Sequence, residues 1–330
     1  MTRAHLTGMG FHVPERVVRN ADLEKLMDTS DEWIVERTGI RERRFVQPGT
    51  GTTDLALEAA RRALDDAGRT PQDVEFIVFA TITRDQMFPG CGTMLQQALG
   101  IGTIGALEVH NACSGFVYAV AAADAFIRAG SYRRILVVGA EIQSTGLNMS
   151  TAGRDMAVLF GDGAGAVLLE AGDESRGVLA SVLHGDGAHV EDLWAEAPTS
   201  KVMGRLTPEM LAEGRMYPRM NGRNVFKHAV TRFPEAIHEA LDACGMRLEE
   251  VALIVPHQAN ARISEAVAER LGVPSEKVFQ NIERYGNTTA ASIPIALAEA
   301  KQQGRIRTGD LVVLAAFGAG FAWGASVIRL

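Results

Sequence analysis

Apolar residues in this chain follow two patterns, short continuous runs and stripes with helical spacing. The runs predict buried strands, at 75–81, 134–138, 157–159, 253–255 and 311–315. The stripes predict amphipathic helices, at 53–66, 115–128 and 261–271. Strands that alternate with helices indicate a layered α/β fold. Residues 192–218 show neither pattern, and we predict a long loop there with one short helix near 208–214.

Two pairs of segments repeat along the chain. Residues 63–80 and 240–257 align without gaps and share seven identical residues. Each copy begins as the end of a helix, passes a glycine and enters a β-branched run. A weaker similarity relates 163–170 to 323–330, in the same order. The chain is therefore predicted to consist of two duplicated α/β halves, 1–172 and 173–330.

Composition and charge exclude several classes of protein. With 330 residues, 47% of them hydrophobic and 22% charged, the chain can bury the core of a globular protein. A net charge of −7 gives no indication of nucleic-acid binding. Three widely spaced cysteines argue against a disulfide framework or a zinc site and for a reducing compartment. No apolar run approaches the ~20 residues of a membrane span and the N-terminus lacks a signal-peptide pattern, so we expect a cytoplasmic protein.

Cys113 is the first candidate for chemistry. It lies between a predicted strand and the helix predicted over 115–128. Unpaired N–H groups at a helix start favour a thiolate. The small neighbours Ala112, Ser114 and Gly115 permit a sharp turn, like that of a nucleophile elbow. A cysteine taken alone is more often a buried structural residue, so its partners decide between the two interpretations.

Two polar residues far downstream are the candidate partners. His257 closely follows the apolar run 253–255, at the end of a buried strand, where functional groups of α/β proteins collect. Asn287 follows a glycine, and on spacing alone a turn explains it as well. His110 is expected to pack beneath the site. A thiol, an imidazole and a carboxamide suit acyl-thioester chemistry, in which Cys113 holds the acyl group and the others steer protons or stabilise an oxyanion.

Three further segments invite a ligand-binding interpretation. The glycine-rich stretches 161–165 and 317–324 each lead into a strand, so neither fits a dinucleotide fingerprint. Tight turns that bring backbone close to the cysteine explain them better. Trp33 and Arg37 lie in the segment 31–44, and such side chains can stack on adenine and pair with phosphates. Taken alone, that segment is more simply a solvated amphipathic helix.

Seven motifs give the chain a resemblance to a known family. They are SDEWIVERTGIRERR, ACSGF, FGDGAGAVLL, NGRNVFKHAV, VPHQANARI, YGNTTAASIP and GAGFAWGASVIRL. Through them the chain resembles, from Gly8 to Leu330, the β-ketoacyl-acyl-carrier-protein synthase III family, which are ketosynthases of the thiolase superfamily. The resemblance implies a five-layered αβαβα fold built from two duplicated halves, and a homodimer.

The resemblance also implies a reaction, the initiating condensation of fatty-acid synthesis. Cys113 attacks an acyl-CoA and becomes acylated. His257 and Asn287 then promote decarboxylation of malonyl-acyl-carrier-protein, and the carbanion attacks the acyl-cysteine to release 3-oxoacyl-carrier-protein. Backbone N–H groups of Cys113 and of the turn at Gly318 and Gly320 are implied to hold the oxyanion. No metal or redox cofactor is expected, because the CoA and carrier-protein thioesters are substrates.

Binding residues of the family also find matches in this chain. Contacts to CoA and its pantetheine arm are implied at Thr29, Trp33, Arg37, Thr38, Arg154, Gly222, Phe226, Ala259, Asn260 and Ile263. Docking of acyl carrier protein is implied at Lys227 and Arg262. Phe88 matches a residue that limits the acyl pocket, often across the dimer interface.

Departures from the family pattern leave the acyl donor open. Arg223, Asp155 and His110-Asn111 occupy positions where smaller residues are more usual, and the loop 192–218 is long. The runner-up is a related enzyme of polyketide or other specialised metabolism, which condenses or transfers unusual acyl chains, including chains supplied by a carrier protein.

A degradative thiolase and a non-catalytic protein fit the sequence less well. A degradative thiolase needs a second cysteine, and none occurs near 318–320. A non-catalytic relative predicts the loss of at least one of the three polar residues, yet Cys113, His257 and Asn287 are all present.

Overall fold

The computed structural model describes residues 2–330 of the chain. Its strands are β1 (Arg3–His12), β2 (Val17–Arg19), β3 (Glu42–Arg44), β4 (Phe76–Ala80), β5 (Gly105–Val109), β6 (Arg134–Glu141), β7 (Gly163–Gly172), β8 (Gly177–Gly185), β9 (Leu193–Trp194), β10 (Arg219–Met220), β11 (Val251–Pro256), β12 (Leu311–Gly318) and β13 (Ala322–Arg329). Its α-helices are α1 (Asn20–Leu23), α2 (Asp31–Thr38), α3 (Thr52–Asp66), α4 (Cys91–Ala98), α5 (Gly115–Arg128), α6 (Arg154–Ala157), α7 (Pro208–Ala212), α8 (Gly222–Cys244), α9 (Ala261–Leu271), α10 (Ile282–Tyr285) and α11 (Ser292–Gln302).

Two larger sheets carry the repeated segments in equivalent places. The first sheet has the order β1-β7-β6-β4-β5 and the second has the order β11-β12-β13-β8. In each sheet, one copy of the stronger repeat forms a parallel strand, β4 or β11, and one copy of the weaker repeat forms an antiparallel strand, β7 or β13. A parallel bridge between Ile254 and Val278 takes the place that β5 has beside β4. This placement supports the division into halves at residue 172, which stays a prediction.

Apolar clusters pack the five layers together, and the central one includes the helices of the middle layer. The central core lies between the sheets and joins side chains of both to helices α5 and α11, among them Val78, Val137, Phe116, Ile293, Val255 and Leu314. Helices α3 and α4 cover the outer face of the first sheet. Helices α8 and α9 cover the outer face of the second sheet. The predicted αβαβα class is confirmed.

The strand and helix predictions hold except at one buried run. The helices predicted over 53–66, 115–128 and 261–271 are α3, α5 and α9. The strand predicted over 157–159 is wrong, because the chain forms the short helix α6 and a turn there and the strand begins only at Gly163. A buried apolar triplet has no period that distinguishes helix from strand.

The segment 192–218 is more regular than predicted. The expected short helix is present as α7. Strands β9 and β10 pair across the segment, with Leu193 opposite Met220. Two-residue strands leave no readable alternation in a sequence, which is why the prediction missed them. Among residues 2–330, no helix combines the length and the apolar character needed to cross a membrane.

Gly165→Ala tests how closely β7 approaches α11. A methyl group at Gly165 would lie 2.7 Å from the backbone nitrogen of Ile295 and 2.7 Å from Cβ of Pro294, so strand and helix must separate. Overpacking of this kind costs roughly 1–3 kcal/mol. We expect Gly165→Ala to unfold at lower denaturant concentration than the wild type. Gly102→Ala is the control because a methyl group there meets no atom within 4 Å, and equal midpoints for the two variants would contradict this packing.

Candidate active site

Cys113 lies on a strained turn between β5 and α5. The turn is a single 3-10 segment, Ala112–Ser114, and Ala112 has a φ of 44°, which non-glycine residues rarely adopt. Ser114 Oγ donates a hydrogen bond of 2.6 Å to the carbonyl of Ala322 on β13. The turn is therefore anchored to the second sheet, and the thiol is held at the junction of the two sheets with only 6% of Cys113 exposed.

A glycine-rich turn presses against the thiol. A Cβ at Gly318 would lie 2.5 Å from Cβ of Cys113 and 3.0 Å from its Sγ, so only glycine fits. Gly320 has a φ of 138°, which also requires glycine. The N–H groups of Cys113 and Ala319 are the backbone donors that lower the pKa of the thiol. The donor from this turn, the N–H of Ala319, thus lies between Gly318 and Gly320, which the sequence predicts as the oxyanion-binding residues.

Burial, more than the helix start, controls the ionisation of Cys113. Desolvation is the largest of the causes that raise the pKa of the Cys113 thiol to about 12; the Glu141 charge also raises it, whereas the N–H groups of Cys113 and Ala319 lower it. The N–H groups predicted to favour a thiolate are therefore present, but burial outweighs them. The resting group is a neutral thiol.

His257 follows β11 and is almost completely buried. Its backbone N–H donates to the carbonyl of Ala315 on β12 at 2.8 Å, and its Nδ1 lies 2.6 Å from Oγ of Ser292. Its Nε2 is buried and finds no hydrogen-bond partner among the described residues. Desolvation lowers the pKa of His257 to about 3, so the resting imidazole is neutral. A neutral imidazole with one free nitrogen can donate to, or accept from, a group bound in front of it.

Asn287 is held by the first half of the chain. Its backbone N–H donates to Leu159 O at 2.8 Å, and its carbonyl accepts from Gly161 N at 3.0 Å. Its side-chain Oδ1 accepts from the N–H of Thr289 at 2.8 Å. This bond fixes the orientation of the carboxamide and leaves the Nδ2 amino group as the donor available to a ligand.

One cavity of about 720 Å³ contains all three residues. Cys113, His257, Asn287 and Gly318 form its buried floor. A cavity of this size suits a small-molecule ligand. The structure brings most of the predicted binding residues to the same cavity: Trp33, Arg37, Thr38, Gly222, Phe226, Ala259, Asn260, Arg262 and Ile263.

The mouth of the cavity is cationic. Arg37, Arg223 and Arg262 line it, and within residues 2–330 Asp155 is the only acidic lining residue. The guanidinium carbons of Arg37 and Arg154 each lie 4.5 Å from the ring centroid of Trp33. Because the chain as a whole carries a net charge of −7, this local concentration of arginines marks a site for an anion.

Some predicted residues lie outside the lining of the cavity. Arg154 contacts Trp33 from outside, and Thr29 has a buried hydroxyl without a hydrogen-bond partner. Lys227 is exposed on α8, and Phe88 is 78% exposed on the surface. The expectation that His110 packs beneath the site is wrong. Its ring is exposed, with Nδ1 2.7 Å from Nη2 of Arg84, because β5 is an edge strand and its end faces solvent.

Sequence reasoning missed several residues of the site. Apolar side chains complete the wall of the cavity: Val158, Leu159, Phe160, Leu193, Met220, Val225, Ala229, Phe233 and Phe317. On α8 the signal was readable, because 222, 226, 229 and 233 recur at helical spacing and form one stripe. In the sequence, Arg223 and Asp155 are distinguished only as departures from the family pattern, which does not identify them as residues of the cavity. Ser292, the partner of His257, carries no sequence signal beyond its place at a helix start.

Five layers around a buried thiol, imidazole and carboxamide define a thiolase-fold condensing enzyme. Comparison with known proteins agrees. The family pattern "3-Oxoacyl-[acyl-carrier-protein (ACP)] synthase III" matches residues 107–187, and its C-terminal counterpart matches residues 241–330. The chain belongs to the β-ketoacyl-[acyl-carrier-protein] synthase III family.

Similarity extends over the whole chain. The family's enzyme from Roseiflexus castenholzii is 47% identical over 326 residues, which cover 99% of this chain and 98% of that one. The enzyme from Rhizorhabdus wittichii is 47% identical over 332 residues, with complete coverage of both chains. The crystal structure of 3-oxoacyl-[acyl-carrier-protein] synthase III from Aquifex aeolicus superimposes with a TM-score of 0.91 at 42% identity, covering 99% of this chain and 100% of that one.

Gly318→Ala tests the contact between the glycine-rich turn and the thiol. The added methyl group must displace Cys113 or the end of β12, because it would lie 2.5 Å from Cβ of Cys113. We expect iodoacetamide to alkylate Cys113 roughly tenfold more slowly, measured by peptide mass spectrometry. Gly187→Ala is the control, since a methyl group there meets no atom within 4 Å. Unchanged alkylation in a folded Gly318→Ala protein would show that the turn does not confine the thiol.

Proposed function

We propose that this protein condenses an acyl-CoA starter with malonyl-acyl-carrier-protein and releases 3-oxoacyl-carrier-protein and CO2, the initiating step of fatty-acid synthesis. The observation that carries the proposal is the meeting of Cys113, His257 and Asn287 on the floor of one cavity with a cationic mouth. Membership of the synthase III family over the full chain supports the same reaction.

Acylation of Cys113 is the first step. The sulfur bonds to the thioester carbonyl carbon, its proton moves to the CoA sulfur, and the N–H groups of Cys113 and Ala319 hold the resulting oxyanion. The bond between carbon and the protonated CoA sulfur then breaks, and CoA leaves as the thiol. These donors are already in place, so they stabilise the transition state without rearrangement.

Decarboxylation of the malonyl group follows at the two other residues. As CO2 leaves, negative charge collects on the thioester oxygen, where Nδ2 of Asn287 and Nε2–H of His257 donate hydrogen bonds. Ser292 supports the required tautomer. Its Oγ accepts from Gln258 N at 3.4 Å, which leaves the hydroxyl proton for Nδ1 of His257 at 2.6 Å. The carbanion attacks the acyl carbonyl carbon, the bond to the sulfur of Cys113 breaks, and the sulfur takes a proton from solvent as the product leaves.

The mouth of the cavity provides the binding site for CoA. We assign Trp33, Arg37 and Arg154 to its adenine and phosphates, because the two guanidinium groups flank the tryptophan ring. The neighbouring residues line the pantetheine channel. We assign Lys227 and Arg262, on the packed helices α8 and α9, to docking of the acidic carrier protein.

We also infer a cytoplasmic homodimer that needs no metal or redox cofactor. Strand β5 is an unpaired edge of the first sheet, and Phe88 and Met87 are exposed apolar side chains near it. A second copy that covers this edge would bury Phe88 and bring it to the acyl pocket. No feature of the site specifically favours the polyketide alternative. The relatives matched over nearly their full length are β-ketoacyl-[acyl-carrier-protein] synthases III, which favours the fatty-acid assignment.

Acylation of the cysteine is the first test of the proposed reaction. When the protein is incubated with a panel of acyl-CoAs and acyl carrier proteins, we expect one acyl mass on the peptide that contains Cys113. Cys113→Ala should lose that mass and all malonyl-dependent product. The assignment of Cys113 as the acyl carrier is wrong if the wild type takes up no acyl group or if the variant is labelled equally.

His257→Ala separates the two half-reactions. The variant keeps the N–H groups of Cys113 and Ala319, so we expect it still to be acylated. It loses a donor to the enolate oxygen, so decarboxylation of malonyl-carrier-protein should fall by about two orders of magnitude. Release of CO2 and mass on Cys113 are measured in the same sample. Condensation at the wild-type rate would remove His257 from this role.

A further inference from the structure

Residues 318–322 form the turn between β12 and β13, and both of its ends meet the cysteine turn. Gly318 and Ala322 pair across it. A Cβ at Gly318 would lie 3.0 Å from Sγ of Cys113. The carbonyl of Ala322 accepts the hydrogen bond of 2.6 Å from Oγ of Ser114. The position of this turn therefore sets how closely its backbone approaches the thiol.

Phe321 anchors the turn to the segment that follows β8. The side chain is 1% exposed, and its ring centroid lies 4.8 Å from that of Phe317. Its backbone N–H donates to the carbonyl of Asp186 at 2.9 Å, and its own carbonyl accepts from the N–H of Asp186 at 2.8 Å. The turn cannot shift at Phe321 without breaking this pair of bonds.

His189, three residues beyond Asp186, covers the ring of Phe321. The two rings are stacked, with 4.8 Å between their centroids and 16° between their planes. The ring of His228 lies beside both, 4.4 Å from His189 and 5.3 Å from Phe321. Stacked rings stabilise a contact beyond the area that they bury. Loss of the His189 ring would therefore leave Phe321 without support on that side.

Asp192 orients the His189 ring and connects it to α8. Its Oδ2 accepts from Nδ1 of His189 at 2.8 Å and from Nδ2 of Asn224 at 2.6 Å. Its Oδ1 accepts from Nδ2 of Asn221 at 3.0 Å, and Asn221 caps the N-terminus of α8. Because a carboxylate only accepts hydrogen bonds, Nδ1 of His189 carries a proton in this arrangement. The ring is thus fixed between the turn and the start of a helix that lines the cavity.

We propose that His189 is a positioning residue, which holds the turn 318–322 against the thiol by stacking on Phe321 and thereby places a backbone donor for the oxyanion of acyl transfer. His189 lies outside the lining of the cavity, so it acts through Phe321 and not on the reacting atoms. The identity of the donor as the N–H of Ala319 rests on the proposed function, whereas the packing of His189 on Phe321 does not.

Two reagents separate the position of the donor from access to the thiol. p-Nitrophenyl acetate acylates a thiol through an oxyanion and needs no CoA site, whereas iodoacetamide alkylates it without forming an oxyanion. In His189→Ala we expect acylation of Cys113 to fall roughly tenfold, because a small misplacement of a catalytic group slows a reaction strongly. Alkylation should stay at the wild-type rate or rise. Peptide mass spectrometry reports both products, and two rates that change by the same factor would overturn the proposal.

His189→Phe tests the stacking itself. The substitution keeps a flat ring beside Phe321 and loses the bond to Asp192, so it should restore most of the acylation rate that His189→Ala loses. Acylation as slow as in His189→Ala would contradict the role of stacking. His238→Ala is the matched control, because that histidine is exposed on α8, and both of its rates should equal those of the wild type.

His189→Gln replaces His189→Ala if the alanine variant does not fold. It keeps a polar group that can donate to Asp192 but has no ring, so the ratio of acylation to alkylation should again fall, and an unchanged ratio would overturn the proposal. A wild type that is alkylated but not acylated by p-nitrophenyl acetate would also overturn it, because the turn then supplies no working donor. Failure of the proposed function gives a different result, a wild type that p-nitrophenyl acetate acylates and no thioester does.

Discussion

Burial of the reactive side chains at the floor of the cavity is the constraint on which this site depends. Desolvation is the largest cause of two pKa shifts in the site: it raises the pKa of Cys113 and lowers the pKa of His257. Both groups therefore rest in their neutral forms. With no resident ion pair between thiol and imidazole, catalysis must come from fixed N–H donors, which act strongly where the local dielectric constant is low. The structure provides such donors at Cys113, Ala319 and Asn287.

Contacts between the two sheets explain how those donors are held in place. The sheets meet through the middle layer, and both the cysteine turn and Asn287 are fixed by a bond to the opposite part of the chain. Ser114 bonds to Ala322 across the junction, and Asn287 bonds to Leu159. Neither half contains a complete site, because the nucleophile and the carboxamide come from different halves. A shift of one sheet against the other would separate the oxyanion donors from the thiol, so dense packing around α5 and α11 serves the chemistry as well as stability.

Sequence alone was sufficient where a pattern extends over a whole element. Helices α3, α5 and α9 and most long strands follow from periodicity, and the internal repeat anticipated equivalent positions in two sheets. Prediction from the sequence failed where a property of a residue depends on which other residues lie near it in the folded chain. A helix start argued for a thiolate at Cys113, but burial outweighed it. Ser292 has no distinguishing sequence pattern, because its importance comes from His257, which is distant along the chain.

The distribution of charge separates the two ends of the cavity. Arginines occur at the exposed mouth, where phosphates can be bound without complete desolvation. In the part of the chain that the structure describes, no lysine or arginine lies at the floor. In the proposed reaction a neutral thioester can bind at this floor at little desolvation cost. A malonyl carboxylate that binds there loses its hydration and finds no cation to pair with. When the carboxylate leaves as neutral CO2, the desolvation cost of its charge is removed. The negative charge moves to the thioester oxygen, where donors are already oriented. An arginine on the floor would stabilise the carboxylate and oppose this step, so a site without a buried cation suits decarboxylation.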